Sequence, residues 1–439
     1  MDEALLENLL DWLRIPSLST GEGRAEDLRA AAEHVCAVVR RAGGEAGLDE
    51  RFGGNPIAVG DLRAGDPDAP TVLIYGHYDV QSTGDAADWT SPPFEPQIRD
   101  GRIYARGASD DKGNFLPLLH AACSMASEGT LPVHVRVLVE GEEEAGGAAV
   151  TQWVAADERG ADAAIVMDGG MEDERTPAIT LGLRGMVMCD LTVSCQPRDL
   201  HSGIYGGSVL NAAHVLHGLL AAVLPGPDGL LRAELREGIV APAPEEIASW
   251  SALRSGNEVL AEVGAQPVAG DSGAQYRLRN GGEASLDVNL LESGAPRTIV
   301  PAKARAVLSL RLAPRQDPER MRTVLQQLLR GALPDGATIA TSFFTAAPAL
   351  TDAGEPAVRL AREAIERATG MSCALTRSGG SIPVVADLAA KGIPVIVTGF
   401  ALATDDIHAP DESFRLKSLE LGVRASREML SALAGLRRA

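Results

Sequence analysis

The stretch TVLIYGHYDV, residues 71–80, contains the pattern that decides the fold. Its first six residues form a continuous, mostly apolar run, which is typical of a strand covered on both faces in a parallel sheet. The run ends at His77, and Asp79 follows two residues later. Because open α/β sheets bind ligands outside the carboxyl ends of their strands, His77 and Asp79 are candidate site residues.

Strands and helices alternate around this stretch. Further strands are predicted at 133–140, 163–168 and 393–399, a helix with one apolar face is predicted at 25–42, and another helix at 111–127. Alternation of strands and helices predicts an α/β fold with a doubly wound mixed sheet.

The middle of the chain follows a different pattern. Strand-like segments at 178–195 run together, a helix is predicted at 208–222, and a strand at 305–314 precedes a helix at 318–332. Alternating inward and outward residues in these strands indicate a small α+β domain. The predicted organisation is one discontinuous α/β domain, residues 1–180 and 352–439, with an α+β domain of residues 181–351 inserted in it.

Composition excludes several classes of partner. The chain carries 60 acidic and 40 basic side chains, a net charge of −20, and only 4% aromatic residues. A phosphate backbone needs clustered Lys and Arg, so no nucleic-acid partner is predicted. The longest apolar stretches are strand-sized, which predicts no membrane span. An acidic start and five scattered cysteines without a C-x-x-C pair predict a cytoplasmic protein.

Further acids and a histidine follow the other predicted strands, and two more acids lie in a glycine-flanked loop just before the predicted helix at 111–127. Taken singly, each has an ordinary structural interpretation: a loop histidine, a helix start, an N-cap or a surface turn. Gathered at one sheet edge, the acids would repel one another, and two divalent cations would resolve that conflict. These residues are Asp110 and Asp111 in GASDDKG, Glu142, Glu143 and Glu144 after 133–140, Asp168 at the end of 163–168, and His408 after 393–399.

Eight short motifs carry a family resemblance. GHYDVQ, GASDDKG, EGEEEAG, MDGG, DLHSG, RTIVP, SGGSIP and HAPDE occur in this order across residues 77–412. In order and approximate spacing they resemble the M20 metallopeptidase family, and most closely its carnosinase-type, cytosolic non-specific dipeptidases. The resemblance implies a catalytic metal-binding domain and an inserted, ferredoxin-like lid and dimerisation domain.

The resemblance also implies a dinuclear metal site. One metal would be held by His77 and Asp168, the other by Glu144 and His408, with Asp110 bridging the two and a cis peptide between Asp110 and Asp111. Oxygen and imidazole ligands without thiolate suit Zn²⁺, Mn²⁺ or Co²⁺, and the sequence does not choose among these metals.

Two further residues receive catalytic roles from the resemblance. Asp79 would orient His77, and Glu143 would be the general base that takes a proton from a metal-bridging water. The triple acid leaves a question of register. In the family the base and ligand precede one residue and a glycine, which favours Glu143 and Glu144 and makes Glu142 an additional acid.

Substrate binding is implied at five further residues. Arg311 and the Gly380–Ser381 turn would hold the C-terminal carboxylate of a dipeptide, although an isolated arginine on a strand is often only an outward-facing residue. Ser378 stands where dipeptidase-like relatives often carry an acid. His201 would donate a hydrogen bond to the carbonyl or oxyanion, with a polar turn residue as the alternative. Similar dipeptidases share this histidine, and a threonine at the position of Thr298, across a homodimer contact of the inserted domain.

The leading functional prediction is a dinuclear metal-dependent hydrolase that cleaves dipeptides. One alternative is an M20-type amidohydrolase that deacylates N-acyl amino acids. Another is a non-catalytic metal-binding protein on the same fold, which the presence of Glu143 beside the ligands disfavours.

Overall fold

The computed structural model describes residues 2–21 and 23–436, so the predicted outer boundaries at residues 1 and 439 lie outside the described part. The chain forms two compact units. The first unit runs to Leu181 and includes Thr351–Thr376 and the chain from Val384, and the second comprises Gly182–Leu350 and Arg377–Pro383.

The first segment of the chain alternates helices with strands. Its elements are α1 Glu3–Leu13, α2 Ala25–Arg41, β1 Glu45–Asp49, β2 Ile57–Leu62, β3 Thr71–His77, β4 Gln97–Arg99, β5 Arg102–Tyr104, α3 Lys112–Ser127, β6 His134–Glu140, α4 Ala149–Ala156, β7 Ala163–Val166 and β8 Ala178–Leu183.

The middle segment contains longer antiparallel strands and several short helices. Its elements are β9 Gly185–Ser194, β10 Leu200–His201, α5 Ser202–Tyr205, α6 Ala212–Ala221, α7 Pro244–Ser251, α8 Gly256–Glu262, α9 Tyr276–Gly281, β11 Ser285–Ser293, β12 Ile299–Val300, β13 Lys303–Leu312, α10 Pro318–Gly331, β14 Thr338–Ala346 and β15 Ala349–Leu350.

The last segment returns to the first pattern. Its elements are α11 Pro356–Thr369, β16 Ala374–Ser378, α12 Pro383–Ala390, β17 Val395–Thr398, β18 Ser413–Arg415 and α13 Leu416–Leu433.

The large sheet of the first unit is mixed. Its strands lie in the order β1-β2-β6-β3-β7-β17-β8, and β16 also pairs with β8. The four central strands, β6, β3, β7 and β17, run parallel, and antiparallel strands flank them. The chain visits β3 before β6 and then returns past β3 to β7, so the strand order reverses between β3 and β7. Such a switch point places a crevice at the carboxyl ends of these two strands.

The sheet of the second unit has the order β11-β13-β9-β14 and is antiparallel throughout. Together with α6 and α10 its strands form a β-α-β-β-α-β unit. In β9 buried and half-buried residues alternate without interruption, as the two-residue period of a strand requires. The buried face, which includes Val187, Leu191 and Leu308, packs with apolar residues of α6 and α10 in one core.

The sequence prediction of a mixed α/β fold with a large sheet is confirmed. Strands β1 and β2 were not predicted, because short segments such as EAGLD have neither a continuous apolar run nor clear alternation. The predicted helix at 208–222 begins only at Ala212, where Asn211 caps it by accepting a hydrogen bond from Ala213. Among the described residues, no helix is both long enough and apolar enough to cross a bilayer.

Candidate active site

The site of the first unit lies where the parallel strands end. His77 is the last residue of β3, and Asp168 follows β7 by two residues, so both lie at the switch point. Gly76 allows Phe115 and Asp111 to pack closely against this end of β3. A Cβ at this position would lie 2.4 Å from Phe115 and 2.7 Å from an oxygen of Asp111. A glycine is therefore required where the Asp111 loop approaches the strand.

The structure brings all five predicted ligands together. His77 Nε2 lies 3.0 Å from Asp110 Oδ1, and His408 Nε2 lies 2.9 Å from both Asp110 Oδ2 and Glu144 Oε1. The potential ligand atoms fall into two groups, each within 4.8 Å, that share Asp110. These groups are His77, Asp110 and Asp168, and Asp110, Glu144 and His408.

Asp110 is held by a residue to which the sequence analysis gave no role. The buried carboxylate of Glu412 accepts hydrogen bonds from the backbone N–H groups of Ser109 at 2.8 Å and Asp110 at 3.0 Å. It also accepts one from the guanidinium of Arg106 at 2.7 Å. The peptide bond between Asp110 and Asp111 is cis. Glu412 is the last residue of the HAPDE motif, and this position in a motif was the sequence signal that could have indicated its role.

The electrostatics of the cluster call for positive charge. Burial raises the pKa of Asp168 well above its usual range; His77 opposes this, and neighbouring acids such as Asp110 add to it. Hydrogen bonds to Asp110 and Glu144 raise the pKa of His408 to about 10. The carboxylate oxygens and imidazole nitrogens of this cluster are donors that suit divalent cations. Each of the two groups could hold one such cation.

Asp79 contacts the predicted base segment as well as His77. Its side-chain oxygens accept hydrogen bonds from the backbone N–H groups of Glu143 at 3.3 Å and Glu144 at 3.1 Å, and from Ser19. His77 Nδ1 lies 3.0 Å from the backbone oxygen of Asp79 and 3.4 Å from its side-chain Oδ1. The main orienting contact to the imidazole is therefore the backbone carbonyl, which accepts a hydrogen bond from Nδ1–H and leaves Nε2 facing Asp110.

The three consecutive acids have three different surroundings. Glu142 accepts a hydrogen bond from the backbone N–H of Asn55 at 3.1 Å, and Glu144 lies against His408. The carboxylate of Glu143 makes no hydrogen bond within the described chain. Burial raises the pKa of Glu143 to about 7, His77 opposes this shift, and Glu144 adds to it. A carboxyl group with a pKa near neutrality has the proton affinity that a general base requires.

The remaining predicted residues lie in the second unit. Gly380 and Ser381 are joined to residue 184 through the backbone: the Arg184 N–H donates to the Gly380 carbonyl at 3.1 Å, and the Ser381 hydroxyl donates to the Arg184 carbonyl. Ser378 accepts a hydrogen bond from the Gly380 N–H at 3.1 Å, which closes the turn. Arg311 is half-buried on β13.

His201 and Thr298 are both exposed. His201 ends β10, where it pairs with Ile299 of β12, and Thr298 directly precedes β12. The Ser202 N–H donates to the Thr298 carbonyl at 3.1 Å. The Gly203 N–H donates to His201 Nδ1 at 3.0 Å, so a neutral His201 carries its proton on Nε2 and presents that N–H to solvent. Large apolar side chains are exposed beside them, with Ile204 at 70% and Tyr205 at 44% of their full exposure.

A family model described as Peptidase family M20/M25/M40 matches residues 73–432, which include all five candidate ligands. The chain belongs to this peptidase family. The resemblance predicted from the motifs is confirmed, and the protein is a metallopeptidase of the M20 type.

Relatives of this M20 chain include proteins named as dipeptidases. It is 25% identical over 368 residues to a Beta-Ala-His dipeptidase of Homo sapiens, covering 80% of this chain and 72% of the relative. It is 29% identical over 373 residues to a Cysteinylglycine-S-conjugate dipeptidase of Corynebacterium striatum, covering 83% of this chain and 81% of the relative. Among solved structures, the M20 family metallo-carboxypeptidase Sso-CP2 from Sulfolobus solfataricus has a TM-score of 0.86 at 26% identity, covering 99% and 100% of the two chains.

Proposed function

We propose that this M20 peptidase hydrolyses the peptide bond of dipeptides at a dinuclear metal site. The observation that carries the proposal is the pair of ligand groups that share Asp110, one completed by His77 and Asp168, the other by Glu144 and His408. A carboxylate shared between two groups is the arrangement that a two-metal hydrolase needs.

Glu143 is proposed as the general base. It directly precedes the proposed ligand Glu144, its backbone N–H donates to Asp79, and its carboxylate makes no hydrogen bond in the described chain. It would accept a proton from the attacking water and donate it to the nitrogen of the leaving amine. Bound divalent metals, Zn²⁺, Mn²⁺ or Co²⁺, would make that water more acidic and polarise the scissile carbonyl.

The C-terminal carboxylate of the substrate is proposed to bind at Arg311 and the Gly380–Ser381 turn. Arg311 makes no ion pair among the described residues and offers a guanidinium fork that matches a carboxylate. The bonds that join residue 184 to Gly380 and Ser381 keep this turn in one conformation, ready for an anion.

The second unit is proposed to be a ferredoxin-like lid and dimerisation domain, which residues 181–351 approximate, inserted in the catalytic domain of residues 1–180 and 352–439. His201, with Nε2–H free to donate, would stabilise the oxyanion in the neighbouring subunit's site, and Thr298 would accompany it. Exposed Ile204 and Tyr205 on α5, which directly follows His201, support burial against a second copy. We also propose a cytoplasmic location, which the five unpaired cysteines support.

A carboxypeptidase acting on longer peptides is a second candidate, because the Sulfolobus neighbour with a TM-score of 0.86 is named a metallo-carboxypeptidase. The deacylation of N-acyl amino acids is the alternative raised by the motifs. A panel of glycyl dipeptides, the corresponding tripeptides and N-acetyl amino acids, assayed with Zn²⁺, Mn²⁺ or Co²⁺, separates the three. We expect the highest kcat/KM for the dipeptides. Preference for an N-acetyl amino acid or a tripeptide would replace the dipeptidase proposal with the matching alternative.

A further inference from the structure

Arg184, which directly follows β8, is an unusual arginine. Its side chain is only 7% exposed. Nη1 donates a hydrogen bond to the hydroxyl of Ser285 at 3.1 Å, and the buried Nε has no partner. No carboxylate forms an ion pair with Arg184 among the residues that the structure describes. A buried guanidinium with neutral and missing partners is costly unless an anion completes its surroundings.

A second arginine approaches the same point. In the sheet of the second unit, Arg311 is the direct cross-strand partner of Ser285 on one side and of Met186 on the other. Ser285 therefore lies beside both Arg184 and Arg311. Burial, with the nearby charge of Arg311, lowers the pKa of Arg184 to about 10.

One acid on β11 acts on Arg184 without forming an ion pair with it. The charge of Asp287, two residues along β11 from Ser285, opposes the lowering of the Arg184 pKa, but Asp287 is exposed and forms no ion pair within the described residues. Two cations thus lie close together in the second unit, and neither forms an ion pair with a carboxylate among the described residues. This is the arrangement expected of a site that receives an anion from outside.

The backbone of Arg184 adds a geometric element to this charge. Its N–H and carbonyl hold Gly380 and Ser381, the turn already assigned to carboxylate binding. A Cβ on Gly379 would lie 3.5 Å from Nη2 of Arg184, so the guanidinium reaches the start of that turn. One residue therefore connects the turn, Ser285 and the second guanidinium.

We propose that Arg184 and Arg311 form a two-guanidinium site that binds the C-terminal carboxylate of the substrate. Arg184 is then a second specificity-determining residue, and this inference rests on the proposed peptidase function. The pair selects a free carboxylate over an amide because a neutral group would leave both guanidiniums unpaired.

The test measures kcat/KM for a glycyl dipeptide and for its C-terminal amide, in the wild type and in Arg184→Gln, Arg184→Lys and Arg311→Ala. Loss of a hydrogen bond to a charged group is worth about 10- to 100-fold, so each neutral variant should reduce the acid-to-amide ratio by that factor. The lysine variant should retain part of the preference because it keeps the charge but loses the planar fork. An unchanged ratio in folded Arg184→Gln would overturn the inference.

A second variant leaves both arginines in place, in case their replacement prevents folding. Ser285→Asp puts a carboxylate beside both guanidiniums, and Ser285→Asn has the same shape without the charge. The aspartate should raise KM for the free dipeptide about 10-fold over the asparagine variant, and the ratio of acid to amide kcat/KM should fall with it. Equal KM values in the two variants would contradict the inference.

The outcomes also separate this inference from the proposed function. In one outcome, the wild type hydrolyses dipeptides while the Arg184 variants keep the full preference for a free carboxylate. That result rejects the role of Arg184 in carboxylate binding and leaves the proposed peptidase function standing. Failure of the metal-loaded wild type to hydrolyse any dipeptide rejects the proposed function and, with it, the substrate named here.

Discussion

The Asp79 carboxylate accepts a hydrogen bond from the backbone N–H of Glu144 at 3.1 Å. Its other oxygen accepts one from Glu143 at 3.3 Å, and its backbone carbonyl lies 3.0 Å from His77 Nδ1. A single buried acid thus connects the end of β3 to the loop after β6. The proposed base and two proposed ligands depend on the position of this one residue.

Asp79→Asn should therefore reduce activity without removing a ligand. An amide can accept only through its oxygen, so one of the two backbone hydrogen bonds is lost or replaced by an unfavourable N–H to N–H contact. We expect kcat to fall by about 10- to 100-fold, with weaker metal binding and little change in KM. Asp61→Asn, which removes a surface acid paired with Arg159, is the control. Equal effects of the two variants would show that Asp79 has no positioning role.

Replacement of each acid of the triplet by glutamine should give three different results. Glu143→Gln should keep about two metals per chain and lose several orders of magnitude in kcat, because only the proton acceptor is removed. Glu144→Gln should lose metal. Glu142→Gln should retain both metal and most activity, since the Glu142 carboxylate accepts a hydrogen bond from the backbone N–H of Asn55 and makes no hydrogen bond to the proposed ligands in the described chain. Elemental analysis with steady-state kinetics checks all three, and catalytic loss with metal retained at Glu142 would shift the register by one residue.

Coexpression of His201→Ala with Glu143→Gln tests the proposed sharing of sites between subunits. Each variant alone should be inactive. In a mixed dimer, one site is doubly damaged and the other combines the intact base of one chain with the intact histidine of the other. Random pairing should then restore about a quarter of wild-type activity. If differently tagged mixed dimers are isolated and remain inactive, each chain uses its own His201 or none.

The stability of the first unit should depend on pH through His34, far in sequence from the proposed ligands. Burial lowers the pKa of His34 to about 4, and the positive charges of Arg41 and Lys112 add to this, with Asp11 opposing. The neutral imidazole bonds to Asn8 at 2.6 Å. The folded pKa lies below the unfolded value, so stability is complete above about pH 6.5 and is lost as the pH falls towards 4.

Between pH 7 and pH 5 this loss should amount to about 2 kcal/mol of unfolding free energy. Glutamine carries no titratable group. Between pH 7 and pH 5, the unfolding free energy of His34→Gln should therefore fall by about 2 kcal/mol less than that of the wild type, as measured by denaturant unfolding at both pH values. Equal pH dependence in both proteins would assign the acid sensitivity to other groups.

Much of the first unit could be predicted from the sequence because its signals are local. The run before His77 and the runs before Glu140 and Asp168 are continuous and apolar, and parallel strands must end at the same sheet edge. The position of Glu412 could not be predicted in this way. Its hydrogen bonds to Ser109 and Asp110 span about 300 residues of chain, and no local pattern encodes such a contact.

The second unit was predicted less completely for a similar reason. Strand β11 is mostly exposed and lacks an alternating pattern, so its pairing with β13 could not be inferred. Without that pairing, Ser285 cannot be placed between Arg184 and Arg311. The stretch from 225 to 283 was seen only as rich in proline and glycine, although it contains the short helices α7, α8 and α9.

The most direct test of the central proposal is titration of metal-stripped protein with Mn²⁺ or Zn²⁺ while dipeptide hydrolysis is followed. The ligand groups share Asp110, so activity should be absent after chelation and should reach its maximum only when about two equivalents are bound. Asp110→Asn should prevent this recovery. Full activity in protein shown by elemental analysis to contain no metal, or a maximum at one equivalent, would contradict the dinuclear account.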